Sequence, residues 1–208
     1  MKRFLVPALG LLALTGQAVA AQTVTVGRAD GTYYRPGWGG EYQLTLHGDP
    51  VSGLPMESPF QSFRIETVAA TGSIPGRAYE VALRDRVMPS GDVLTPEAAY
   101  LYPSFIGRTL VIRYDYARGP GRETSARILQ AAMLSVQGVG GSLLDLLNAD
   151  PQRYPVNSGS FEYAWASAFV AEAEDSGWTS IGDVRVLNLS SPVEGEPPAD
   201  DQDMLVLL

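Results

Sequence analysis

Thr95-Pro96-Glu97-Ala98-Ala99-Tyr100-Leu101-Tyr102-Pro103-Ser104-Phe105-Ile106-Gly107 is where the chain changes character. A threonine hydroxyl stands at an N-cap position and a proline in the first turn, with a carboxylate near the positive end of the helix dipole. Gly107 supplies a stop, so a helix is expected from about Pro96 to Ile106. Upstream of it short strands dominate. Gln22–Val26 alternates, Glu41–Leu46 puts Tyr42, Leu44 and Leu46 on one face, and Phe60–Val68 and Ala78–Leu83 follow the same habit. Gly- and Pro-rich turns such as Arg35-Pro36-Gly37 and Ile74-Pro75-Gly76 separate them. Downstream the helices continue. Thr124 to Val136 carries an apolar stripe of Ile128, Leu129, Ala132, Met133 and Val136, and Gly138, Gly140 and Gly141 end it. Ser142 caps a short helix through Leu147, and Ser160 caps another from Phe161 to about Glu174. Val184–Leu189 and Met204–Leu208 return to strand. The fold class expected is α+β, mainly β: a β-sandwich or barrel-like domain with an inserted cluster of α-helices.

The ends of the chain add a destination. Lys2 and Arg3 precede an apolar run from Phe4 to Leu14, and Ala18-Val19-Ala20 offers small residues to a signal peptidase. Residues 1–20 are therefore expected to be a signal peptide, and residues 21–208 one globular domain that is secreted to the extracellular space or cell surface. The apolar run is shorter than the roughly 20 residues a membrane span needs, so no membrane insertion is expected after cleavage. The acidic stretch Glu194–Asp203, with Pro197-Pro198, reads as an exposed loop.

Composition narrows the chemistry. The chain has no cysteine, which excludes thiolate metal sites and cysteine nucleophiles. Its one lysine, Lys2, leaves with the leader, so a Schiff base and a P-loop are excluded as well. The formal charge is −8, and an acidic surface argues against nucleic acid as a partner. His47 is the only histidine, and no Gly-x-Ser-x-Gly elbow occurs. No cofactor is expected and no catalytic residue is assigned.

Several stretches occur in a familiar order. They are Gly39-Gly40-Glu41-Tyr42, Phe60-Gln61-Ser62-Phe63-Arg64-Ile65-Glu66, Leu94 to Tyr102, Tyr114-Asp115-Tyr116, Ala126 to Ala132, Val186-Leu187-Asn188-Leu189 and Gln202-Asp203. In this order the chain resembles the thioester-domain-like secreted proteins of Gram-negative bacteria, many of which carry a PEP-CTERM sorting signal. Those are similar in turn to the thioester domains of Gram-positive surface adhesins. In that family a strand cysteine and a helix glutamine lose ammonia and join as an internal thioester. The resemblance puts the glutamine at Gln130 and the cysteine position at Arg64. A guanidinium cannot form an acyl link, so no thioester can form in this chain. What remains is a binding or adhesion-type protein without covalent chemistry, whose extracellular ligand is a glycan or a protein.

Each candidate site has a plainer alternative. Arg64 and Gln130 form either a polar site open to a ligand carboxylate or an internal pair, with Arg64 meeting Glu66, Glu123 or the Gln130 amide. An ester from Ser62 or Thr67 to Gln130 is the one acyl crosslink still available. Tyr33, Tyr34 and Trp38 cluster in a Gly-rich loop, where exposed rings can stack on sugars or anchor a partner. Tyr100, Tyr102, Tyr114, Tyr116 and Trp165 read as core or near-core residues. Glu172-Ala173-Glu174-Asp175 and Asp200, Asp201 and Asp203 read as solvated acidic patches, with weak calcium binding the lesser alternative. Two further functions stay open: a structural subunit of an extracellular matrix or filament, and a polysaccharide-acting hydrolase using paired carboxylates.

Overall fold

A computed structural model describes residues 22–29, 40–48, 58–66, 78–88, 90–148, 155–190 and 202–208. Six strands and four helices follow in the order β1 (Thr23–Arg28), β2 (Tyr42–His47), β3 (Phe60–Ser62), β4 (Ala78–Arg84), α1 (Pro96–Ile106), α2 (Pro120–Val136), α3 (Leu143–Leu147), α4 (Phe161–Glu174), β5 (Val184–Ser190) and β6 (Gln202–Leu207). All strand pairs are antiparallel, and the sheet order is β3-β2-β1-β4-β5-β6. The helices fill the connection between two neighbouring strands, β4 and β5. The fold is thus α+β with an inserted helical cluster, as expected. It is not mainly β, because helix outweighs strand among the described residues, and the sheet is open rather than a sandwich of two sheets or a closed barrel.

Thr95 caps α1 as expected, its hydroxyl accepting from the Ala98 N–H. Ser142 and Ser160 cap α3 and α4 in the same way. The α2 helix starts earlier than its apolar stripe indicates, at Pro120. Proline at the first position and Glu123 in the first turn are sound start signals. They add one turn, and that turn carries Arg122. The β3 strand is shorter than Phe60–Val68 because the chain changes partners. Residues 60–62 pair with β2, whereas Leu205 donates to the Phe63 carbonyl and Ile65 donates to the Asp203 carbonyl, framing a bridge between Arg64 and Met204. The two edges of the sheet therefore meet at that one bridge.

Strands β5 and β6 have apolar residues on both faces, which makes them near-continuous apolar runs. Val184, Val186 and Leu205 point to the helices, where they join Phe63, Ile65, Leu101, Phe105, Ile128, Leu129 and Phe169 in one core. Leu187, Leu189, Met204 and Val206 alternate to the opposite face and join Val24, Val26, Tyr42, Leu44 and Tyr79 in a second. Phe63 and Phe105 meet edge to face at 4.9 Å, tying the end of β3 to α1.

Leu205 is fully buried against the helices. Leu205→Ala is expected to destabilise the protein by about 2–5 kcal/mol, read from the midpoint of urea unfolding at unchanged slope.

Candidate functional site

The Gln130 carboxamide, buried on α2, reaches the backbone of Arg64 at the end of β3 and uses both ends of its amide. Its Nε2 donates to the Arg64 carbonyl at 2.5 Å, and its Oε1 accepts from the Arg64 N–H at 3.2 Å and the Gly40 N–H at 3.4 Å. The structure thus brings together the two residues that the resemblance pairs, across 66 positions of sequence. The contact is not the one expected, because it runs to the Arg64 main chain. Strand alternation puts Phe63 and Ile65 into the helical core and turns the Arg64 side chain to the other face of the strand. The guanidinium, 4 % exposed, bends back to the Glu66 carbonyl, with Nε and Nη2 each at 3.3 Å. Ser62 is likewise committed elsewhere, its hydroxyl donating to the Leu205 carbonyl at 2.6 Å. Thr67 lies outside the described residues.

Beside Gly40 stands a fully buried carboxylate, Glu41. Arg122 grips it with two bonds, Nη2 to Oε1 at 2.5 Å and Nε to Oε2 at 2.8 Å. The Tyr114 hydroxyl adds a third at 3.0 Å. Burying a carboxylate without partners is prohibitive, and a bidentate guanidinium plus a phenol is the kind of set that makes it tolerable. Burial and the neighbouring Glu41 carboxylate push the Tyr114 phenol far above its ordinary value, and burial does the same for Tyr102. Burial pushes the Tyr116 phenol up to about 12. The 114–116 segment lies close to the first turn of α2: a β-carbon at Gly121 would stand 2.1 Å from Asp115 Oδ2, so a larger residue there would push the Asp115 carboxylate aside.

A third polar contact joins β5 to β6. Asn188 donates to Asp203 Oδ1 at 2.7 Å, and the Met88 N–H donates to Asp203 Oδ2. Asp203 is fully buried at the start of β6, not a solvated residue of the acidic loop, because these donors satisfy it. Glu172 also leaves the solvated group. Its Oε1 accepts from the Val111 N–H at 2.9 Å and the Tyr100 hydroxyl at 3.1 Å, and its Oε2 accepts from the Ile112 N–H at 3.1 Å. A carboxylate near a helix C-terminus is thereby offset by backbone donors from the α1–α2 connection. Asp200 and Asp201 lie outside the described residues, as do Tyr33, Tyr34, Trp38 and residues 1–20. Tyr102 and Tyr114 are buried, and Tyr100 and Tyr116 pack half-buried against the same core, as expected, whereas Trp165 is half-buried at its edge rather than inside it. Trp165 packs on the exposed Phe161 ring at 5.0 Å, which draws it toward the surface. His47 ends β2 at an exposed turn, its Nε2 3.0 Å from the Thr25 hydroxyl.

Among the described residues no group of three or more His, Cys, Asp or Glu is placed to hold a metal, and no helix is long and apolar enough to cross a membrane. The sequence alone marks Gly40-Glu41 only within the resemblance and Tyr114 only as a core or near-core residue, and it gives Arg122 no place. The signal was available in the Pro120 helix start, which puts an arginine in a turn facing a strand.

Two outcomes are expected. Arg122→Met strands the Glu41 carboxylate and costs about 3–5 kcal/mol in urea unfolding, while adding Glu41→Leu recovers a large part of that loss. In alkali the raised phenols act as a stability term. A tyrosine whose folded pKa exceeds its unfolded value stabilises below about pH 10, and that stability is lost as pH rises through the folded value. Denaturant midpoints at pH 11 should lie below those at pH 8, with less tyrosinate absorbance in the native protein than in the unfolded one.

Comparison with protein-family models, with curated proteins and with solved structures finds no match, so the reading of this site rests on its own geometry.

Proposed function

We propose that the chain is a secreted, non-enzymatic binding protein of the extracellular space or cell surface, built on a thioester-domain-like scaffold without the thioester. The observation that carries this reading is the docking of Gln130 on residue 64. The glutamine of α2 sits at the backbone of the one position where the resemblance calls for a cysteine. With no cysteine in the chain and no lysine after Lys2, association with a ligand is non-covalent. A barrel-like form draws support from two features. The second core gathers apolar side chains from β1, β2, β4, β5 and β6 on the face away from the helices, and the Arg64–Met204 bridge links the sheet edges. Hydrolysis by paired carboxylates draws less support, since Glu41 is held by Arg122 and Tyr114, and Glu172 by backbone N–H groups.

Two mass measurements test the reading. Protein recovered from outside the cells is expected to weigh what residues 21–208 or 22–208 weigh, with nothing lost. A chain retained inside cells with residues 1–20 attached overturns export, and a mass short by one ammonia overturns the non-covalent role. The second measurement uses Arg64→Cys. If the scaffold is thioester-domain-like, the strand end turns so that the new thiolate reaches and attacks the Gln130 carboxamide, an acyl–sulfur bond forms and ammonia leaves. The variant is then one ammonia lighter and takes up methylamine. A folded variant with a free thiol and full mass sinks the thioester-domain-like assignment.

A further inference from the structure

We infer that a depression at the meeting of β4 and β5 is a subsite for the carboxylate of an acidic sugar, a uronate unit of a polysaccharide. This inference rests on the binding-protein reading above and gives it a place and a ligand class. The depression encloses about 420 Å³ and is lined by Leu83, Arg84, Asp85, Ile181, Arg185 and Leu208. That volume lies within the usual range of small-ligand sites, about 300–1,000 Å³.

The two arginines are differently prepared. Arg185 is fixed. Its Nη1 donates to the Gly182 and Val184 carbonyls, both at 2.7 Å, which uses both protons of that nitrogen and sets the plane of the guanidinium. The Nε and Nη2 protons are left, and among the described residues neither donates to a protein acceptor. A guanidinium held on one side and open on the other is suited to a carboxylate, whose two oxygens match such a fork. Arg84 is exposed at the end of β4, with no hydrogen bond or ion pair among the described residues. Asp85 offsets one of the two arginine charges, so the Arg185 fork rather than a net positive field is what would hold the carboxylate.

The rest of the lining suits a sugar. A pyranose ring presents C–H faces to Leu83, Ile181 and Leu208, hydroxyls to Asp85 and a carboxylate to the arginines. An aromatic ring stands close by. Gly182, whose carbonyl holds Arg185, also lies under Trp178, where a β-carbon would come 3.6 Å from Cζ3. Trp178 is 38 % exposed and braced edge-on by Tyr100 at 5.7 Å, so it offers a ring for stacking and an optical probe.

The test is titration of the protein with trimers of galacturonate, glucuronate and mannuronate, and with fully methyl-esterified trigalacturonate, by calorimetry and tryptophan fluorescence. At least one acidic trimer is expected to bind, more weakly as salt is raised, and the ester at least tenfold less well. Arg84→Glu, at an exposed position, is expected to weaken binding about tenfold with unfolding unchanged. Arg185→Gln should abolish it. The inference is overturned if no acidic trimer binds, if acid and ester bind alike, or if Arg84→Glu binds like the parent. Binding to neutral glycans that ignores Arg84 and Arg185 would sink this site alone and leave the binding-protein reading standing. An ammonia-deficient mass would sink that reading whatever the trimers do.

Discussion

Val186 faces the helices and Leu187, one residue on, faces the second core; across the ladder Leu205 and Met204 divide in the same way. Strands β5 and β6 thus belong to two cores at once, and a strand in that position cannot spare a face for water. The constraint explains why the middle of each strand is apolar on both faces. It also explains why Asn188 and Asp203, opposite each other on the helical side, are bonded to each other. A one-residue slip of either strand would exchange the two faces and place Asn188 and Asp203 in the wholly apolar cluster. The pair therefore resists slippage as well as satisfying itself.

Polar contacts fasten the helical layer to the sheet: Tyr102 of α1 donates to the Gln61 carbonyl of β3 at 2.7 Å, and two side chains of α2 satisfy groups at strand ends. Gln130 answers the N–H and carbonyl of Arg64, and Arg122 answers Glu41. These contacts lie about two helical turns apart on α2, and Gly40 and Glu41 are adjacent, so the helix is held to the end of β2 at two heights. Buried polar sets of this sort are costly when incomplete, which gives the arrangement its rigidity. Glu172 performs a similar task at the far end of α4, holding the turn that follows α1.

Much of this was legible in the sequence. Thr95, Ser142 and Ser160 marked helix starts through local hydrogen bonds, and local chemistry is what a sequence displays best. The strands were recognised from alternation, but alternation says nothing about partners. Hence the exchange of partners at Phe63 and the openness of the sheet did not show. Asp203 looked like part of an acidic loop because its donors, Asn188 and the Met88 N–H, are distant in sequence. Arg122 was hidden for a similar reason. Its role exists only once Glu41, 81 residues earlier, is beside it. The pairing of positions 64 and 130 came from resemblance, whereas the use of the Arg64 backbone instead of its side chain needed coordinates.

The insertion of four helices between neighbouring strands has a kinetic side. β4 ends at Arg84 and its partner β5 begins at Val184, so that pairing closes a loop of nearly the whole helical layer. Closing long loops before long-range contacts reward them slows folding. During synthesis β1, β2 and β4 emerge before Leu187, Leu189, Met204 and Val206, which complete their core. Until those arrive, β1, β2 and β4 present an apolar face with nothing to cover it. The second core is therefore complete only when β5 and β6 enter the sheet.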